Sequence, residues 1–224
     1  SWKWWYQRPS THVMITALDV WSLDQGKGAP TLERTLRAYS ERGHTIDAVL
    51  PDIGANHFYR RRDARGERPE ARPEIANVRF HAFHMPSVRD LPLPELPAPV
   101  AALDQKLRFA LAFPWLAARE AERLLRGASP PYDALYAYEV HGALAARLLR
   151  RRGVRLPLVT RFQGTVMRPA LDDRMLYARR YEEALALRTP ADLLIMTDDG
   201  TLGDDVIARL NPRMKSRMKF WRNG

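Results

Sequence analysis

The sequence predicts an α/β fold: a doubly wound parallel sheet of about seven strands with helices on both faces. Three observations carry that expectation. Short apolar runs alternate with helix-period segments along nearly the whole chain. Residues 132–165 read as strand, helix and strand joined by a parallel crossover, with both strand ends breaking into polar, small and aromatic residues. At 224 residues the chain is long enough for one large domain with a substantial core.

Taken in order, residues 12–18 form the first apolar run, followed by a polar loop with Gly26 and Gly28. A helix starts at Pro30 or Thr31, where proline suits the first turn. Leu32, Leu36 and Tyr39 make its apolar face and Gly43 ends it. The second strand, residues 45–50, stops at Pro51. Residues 52–76, rich in Arg, Pro, Asp and Glu, are expected to be a mobile charged loop that contributes no core. Residues 77–83 give a third strand, and the prolines over 85–99 forbid a continuous helix there.

A long helical region then runs over about 100–126, with Pro114 expected to kink or split it. Leu103, Leu107, Leu111 and Trp115 lie four apart and are expected to pack against the sheet, an interfacial membrane helix being the alternative. Residues 134–138 form the fourth strand. The next helix carries Leu144, Leu148 and Leu149, with Gly153 as its cap, and the fifth strand covers 156–160. A helix over about 170–187, a strand at 192–196, a short helix around 203–210 and a strand at 218–221 complete the chain.

The chain has no cysteine, which excludes a disulfide scaffold, a thiolate metal site and a cysteine nucleophile, and fits a cytoplasmic protein. The aromatic, basic start lacks the run of about 7 to 15 apolar residues of a secretory signal. No window approaches the roughly 20 apolar residues of a spanning helix. A net charge of +10 admits a polyanionic partner (nucleic acid, anionic lipid, a phosphorylated substrate) or arginines solvated on helix faces. The clusters Arg60 to Arg62 and Arg150 to Arg152 fit the second reading: neither has interleaved aromatics, and the latter falls in the last turn of a helix.

Chemistry is expected at the carboxyl ends of the strands. Gly26, Lys27 and Gly28 precede a helix start, where backbone amides and a lysine suit an anion. The third glycine of a dinucleotide fingerprint and the GK[ST] ending of a P-loop are both missing. His141, beside Glu139, follows the fourth strand and shares a crevice with Arg161, Gln163 and Thr165; an imidazole there could orient a hydroxyl. It could equally cap the helix. His81 and His84 have no cysteine or acidic partner at ligand spacing, so no metal is expected. Asp198, Asp199, Asp204 and Asp205 are expected to begin a helix.

These residues carry a resemblance. GKGAPTLERTLRAYSERGHTIDAVLP resembles the glycine loop, first helix and second strand of the amino-terminal domain of family 4-type, GT-B fold glycosyltransferases. DALYAYEVHGALAARLLRRRGVRLPLVTRFQGT is similar to that family's next two strand ends, YEEALALRTPADLLIMTDDGTLGDDV to its following helix and strand, and FWRNG to the close of the domain. The resemblance implies a Rossmann-like domain covering residues 1–224, the acceptor-binding half of a retaining enzyme. That enzyme would move a sugar from a nucleotide-diphosphate sugar without a metal cofactor.

Residue by residue, the resemblance implies that Gly26, Lys27 and Gly28 meet the donor phosphates and that His141 is the catalytic position beside the reacting sugar. It also implies that Tyr138, Glu139, Arg161, Gln163, Gly164 and Thr165 line the acceptor and sugar side. Tyr138 and Gln163 stand where the family often has histidine. A carboxy-terminal donor-binding domain would begin where the chain ends, at Gly224, so the isolated chain is expected to be inactive. A sugar or lipid-linked acceptor and peripheral contact with the inner face of an anionic membrane are the implied partners, with no specific nucleic acid. A non-catalytic glycan or small-molecule module and a basic nucleic-acid or anionic-surface binder remain the alternatives.

Overall fold

The computed structural model describes residues 11–16, 31–51, 73–86 and 97–222. Gly26, Lys27, Gly28, Arg60 to Arg62 and most of the charged loop lie outside them. The sheet has seven strands, all parallel, in the order β3-β2-β1-β4-β5-β6-β7. They are β1 (His12–Thr16), β2 (Thr45–Pro51), β3 (Val78–Phe83), β4 (Ala134–Tyr138), β5 (Leu158–Phe162), β6 (Leu193–Asp198) and β7 (Met218–Arg222). The central strands β1 and β4 are buried along their whole length, because helices cover both faces.

One face carries α1 (Thr31–Glu41). Leu32 and Leu36 pack there on Val13, Ile15, Ile46, Ala48 and Tyr136. The other face carries α3 (Phe113–Gly127), α4 (Glu139–Arg151), α6 (Tyr181–Leu187) and α7 (Gly203–Leu210), which share a core with Met14, Val49, Leu135 and Phe162. Gly43 (φ 82°) and Gly153 (φ 95°) end α1 and α4 in the left-handed conformation that glycine adopts without a Cβ penalty. Arg150 and Arg151 occupy the last turn of α4. Arg150 also pairs with Asp192, and Arg152 with Glu122.

Several sequence expectations need correction. The fifth strand starts two residues later than the apolar run. Pro157 has no N–H to give, although its carbonyl still accepts from Leu135 N, and the strand continues through Arg161 and Phe162. The helix expected over about 170–187 is three pieces: a 3₁₀ turn at Pro169–Leu171, α5 (Arg174–Arg179), capped by Asp173 accepting from the Met175 and Leu176 amides, and α6. Ile75, at the end of the charged loop, is buried and contributes to the core after all.

The largest correction concerns the long helix. Pro114 does not split it: α2 (Ala98–Leu107) runs through a π-helical turn (Arg108–Ala112) directly into α3. The Phe113 amide bonds to Arg108 O, so the wider turn falls just before the proline, which has no amide to place. The side facing the sheet is Phe113, Ala117, Ala118 and Ala121, all fully buried. Leu103, Leu107, Leu111 and Trp115, expected there, instead face solvent at 58, 48, 59 and 48% exposure.

His81 does have an acidic partner. Asp47, in the middle of an apolar strand, accepts from His12 Nε2 (2.6 Å), His81 Nε2 (2.6 Å), Arg79 Nε and Nη2 (2.9 and 2.8 Å) and Tyr132 Oη (2.8 Å). The cluster ties β1, β2 and β3 together near their amino ends. Asp204 and Asp205 lie in the first turn of α7, as expected, whereas Asp198 ends β6.

Candidate functional site

The carboxyl ends of β1, β4 and β5 meet where the winding of the sheet reverses: from β1 the chain proceeds outward through β2 and β3, and from β4 through β5, β6 and β7. In open α/β sheets a ligand crevice opens at that point, because the helices that follow leave toward opposite faces. Here α1 begins at Thr31 on one face and α4 at Glu139 on the other.

Tyr138 closes β4 and is fully buried. Burial pushes its phenol up to about 12, so it stays protonated at neutral pH. Its hydroxyl meets Thr31 Oγ1 and accepts from Gln163 Nε2. The first turn of α1, the turn that follows Gly26, Lys27 and Gly28 in sequence, is thereby fastened to the loop after β5.

Glu139 makes the strand-to-helix corner with φ at +59°, a conformation an L-residue holds only under constraint from its surroundings. Its Oε1 accepts from the Gln163 amide at 2.8 Å. Burial raises its carboxyl to about 7. The Gln163 amide and Arg161 work against that rise, and Glu183 and Asp199 add to it.

The loop 163–165 is held from both sides. Thr165 donates its hydroxyl to Glu183 Oε1 (2.7 Å), which also takes the Val166 amide (3.0 Å), and the Thr165 amide donates to Thr201 Oγ1 (3.0 Å). Thr201 in turn donates to Asp199 Oδ1 from its hydroxyl (2.5 Å) and its amide (3.1 Å). Between them Gly164 sits at φ +151°, where a Cβ would run into the Asp199 carboxylate. The rim is therefore held by hydrogen bonds from the start of α1 to the turn before α7, and the charges of Glu183 and Asp199 both bear on Glu139.

His141 is half-buried between the rings of Phe109 and Phe113, each 5.4 Å away and edge-on. Burial lowers its imidazole to about 4, so it is neutral at physiological pH and can exchange hydrogen bonds without carrying charge. Arg161 turns to the α1 face, where its guanidinium lies 5.8 Å from the Tyr138 ring centre and donates to Thr35 Oγ1 at 2.6 Å.

The structure thus joins Tyr138, Glu139, Gln163, Gly164 and Thr165 in one bonded unit. His141 stands beside them, and Arg161 braces the unit from beneath α1. Gly26, Lys27 and Gly28 are outside the described residues. Thr31, Glu183, Asp199 and Thr201 complete the rim, and sequence reasoning missed them. The available signals were the acidic pair Glu182 and Glu183 opening a helix and the Asp-Gly-Thr turn after β6. Among the described residues, no group of three or more His, Asp or Glu side chains is placed to hold a metal ion, and no helix is long and apolar enough to cross a membrane.

The raised Glu139 carboxyl has a sign that can be measured. Below about pH 4.5 it is protonated folded and unfolded alike and contributes no penalty. Between 4.5 and 7 the unfolded chain ionises first, so stability falls as pH rises, and above 7 the buried charge carries its full penalty. Glu139→Gln, which keeps an oxygen for the Gln163 amide, is expected to raise stability by about 2 kcal/mol at pH 8 and to leave it unchanged near pH 4. Urea midpoints at the two pH values measure this. Equal shifts at both would show that the ionised form carries no penalty.

No protein-family model and no curated protein sequence matches the chain. Solved structures do. LpCGTa in complex with UDP superposes with a TM-score of 0.52 at 15% identity, over 94% of this chain and 53% of that one. UGT89C1 of Arabidopsis thaliana, complexed with UDP-L-rhamnose, gives 0.49 at 12% over 96 and 51%. The calicheamicin glycosyltransferase CalG4 gives 0.48 at 14% over 84 and 48%. This chain spans about half the length of each. With its seven parallel strands and its reversal between β1 and β4, the chain has the fold of one half of a GT-B glycosyltransferase.

Proposed function

We propose that this domain is the acceptor-binding half of a retaining, family 4-type glycosyltransferase that moves a sugar from a nucleotide-diphosphate sugar to an acceptor. The observation that carries the reading is the rim itself: Thr31, Tyr138, Glu139, Gln163 and Thr165 are bonded into one rigid unit at the switch point of a sheet with this fold. Retention of configuration and the family assignment come from the sequence resemblance. The motif order from the glycine loop to Trp221 supports both.

In this reading the leaving diphosphate sits at the start of α1, with Gly26, Lys27 and Gly28 in front of it. Backbone amides and the helix dipole there offset the developing negative charge. His141, kept neutral by burial, offers a hydrogen bond to a sugar hydroxyl and positions it without titrating. Gln163 and Thr165 are held by Tyr138 and Glu183 in single orientations, so they present fixed polar groups to an acceptor. Sugar transfer belongs to a protein about twice this span, and the chain alone is expected to bind acceptor without turning over donor.

A glycan array probed with the labelled chain tests the reading. A small set of glycans is expected to bind, and Gln163→Ala is expected to abolish the signal while the fold, read by circular dichroism, persists. Binding that ignores Gln163→Ala and instead extends to single-stranded DNA with a steep salt dependence would identify a polyanion binder and overturn the proposal.

A further inference from the structure

The rod formed by α2, the π-helical turn and α3 is continuous, and its one irregular turn falls beside His141. Phe109 lies inside the π turn and Phe113 directly after it. Their rings flank the imidazole, each 5.4 Å away, with planes at 64 and 72° to it. In a plain α-helix two residues four apart are rotated by about 40° around the axis. Here the Phe113 amide bonds to Arg108 O, one residue further back than an α-helix would reach. The wider turn takes out part of that rotation, and both rings meet the same imidazole. Single π turns inside α-helices are rare and gather at functional sites.

The two rings differ in what else they do. Phe113 is fully buried and meets Phe83 at 5.5 Å, so the core fixes it as well. Phe109 is half-buried at the margin of the core, with the Arg108 guanidinium 6.0 Å from its ring centre. His141 makes no hydrogen bond to any described residue. The charged groups nearest in the packed elements are Arg108 on the rod and Glu139 at the start of α4, yet burial is the sole influence on its proton. In many sites one imidazole nitrogen is tied to a carboxylate or carbonyl, which sets both the tautomer and the ring orientation. Here nothing in the described chain sets the tautomer, and only the phenyl rings hold the orientation.

We propose that Phe109, placed by the π turn, is a positioning residue for His141: two phenyl rings take the place of a hydrogen-bonded partner, fixing the imidazole while leaving both nitrogens to the ligand. The same side chain then gives a hydrogen bond to one hydroxyl or takes one from another, without adding charge to the site. That the hydroxyl belongs to a sugar rests on the proposed function. The clamp itself does not, and its test reads the imidazole directly, so either can fail while the other stands.

The experiment is an NMR titration of the histidines in the full chain, the His141 signal being assigned by its loss in His141→Gln. Its midpoint in the wild type is expected at about 4. Phe109→Ala, which opens one side of the imidazole to water, is expected to raise that midpoint by about 1 pH unit or more. The midpoint of His44, lowered by burial and by Arg42 beyond the end of α1, should not move. Phe109→Leu still excludes water, so the low midpoint should persist, while imidazole carbon relaxation should report a ring that has gained mobility. Deleting Ala110, which returns the π turn to α-helical spacing and swings Phe109 away, should raise the midpoint as Phe109→Ala does. Thermal melts confirm that each variant folds. A wild-type midpoint at the ordinary 6.5 overturns the proposal. So does a midpoint that Phe109→Ala leaves in place, a His44 midpoint that shifts along with it, or an imidazole as rigid in Phe109→Leu as in the wild type.

Discussion

Replacing Asp47 by asparagine is expected to destabilise the domain by about 3 kcal/mol, and by as much as about 5 kcal/mol if the sheet edge does not relax. The carboxylate is 1% exposed and accepts from His12, His81, Arg79 and Tyr132. Asparagine offers one oxygen in place of two and turns an amide toward the remaining donors. The lower figure is favoured because Arg79, with 63% of its side chain exposed, regains water when it is released. His12 and Tyr132 are buried and do not. Burial by itself would raise the Asp47 carboxyl, but the hydrogen bonds from Arg79, His81, His12 and Tyr132 outweigh it and hold the carboxyl well below its usual range.

The sign follows from that depression. The stabilisation is complete above the unfolded value of 3.8, declines progressively below it and is gone only once pH falls through the depressed folded value, so the gap between wild type and variant should narrow, without closing, by pH 3. Urea midpoints at pH 7 and pH 3 decide the matter. A loss under about 1 kcal/mol at pH 7, no more than an average hydrogen bond, would show that the cluster does not hold the edge of the sheet.

That cluster also shows why parts of this fold were legible in the sequence and others were not. The alternation of strand and helix, the limits of β4 and α7 and the glycine ends of α1 and α4 all follow from local periodicity and backbone freedom, which a sequence displays directly. The four partners of Asp47 come from three separate segments, so spacing could not find them. The one visible sign was a carboxylate inside TIDAVLP, which must be satisfied by something.

The long rod was misread for a related reason. Large leucines at a spacing of four look like a core face, but the face against the sheet is built from Phe113 and alanines, because closely packed helices leave no room for more. Volume at the contact decided, and hydrophobicity alone does not report it. The candidate site divides the same way. Tyr138, Glu139, Gln163, Gly164 and Thr165 were found because strand ends at a switch point are visible in the pattern. Glu183, Asp199 and Thr201 reach the rim only through tertiary packing.

Gly142→Ala is expected to cost about 3 kcal/mol or more, although in an open helix interior the same change would gain about 1 kcal/mol. Gly142 lies in the first turn of α4, where the helix crosses the end of β1, and Thr16 Oγ1 donates to its carbonyl at 3.3 Å. A Cβ there would overlap Thr16 O and stand 3.2 and 3.3 Å from the carbonyl carbons of Thr16 and Ala137. All three are backbone atoms of β1 and β4, the two central strands, which neighbours on both sides prevent from moving. The added methyl can be housed only if α4 lifts, and α4 carries Glu139 and His141 with it. The steric term therefore exceeds the helix-propensity gain and falls on the candidate site as well as on the core. Gly127→Ala provides the contrast: no atom lies within 4 Å of its Cβ position, and it should change stability by no more than about 0.5 kcal/mol. Denaturation of the two variants side by side separates packing from propensity. If Gly142→Ala proved as stable as Gly127→Ala, the close seating of α4 on β1, and with it the fixed geometry of the rim, would have to be given up.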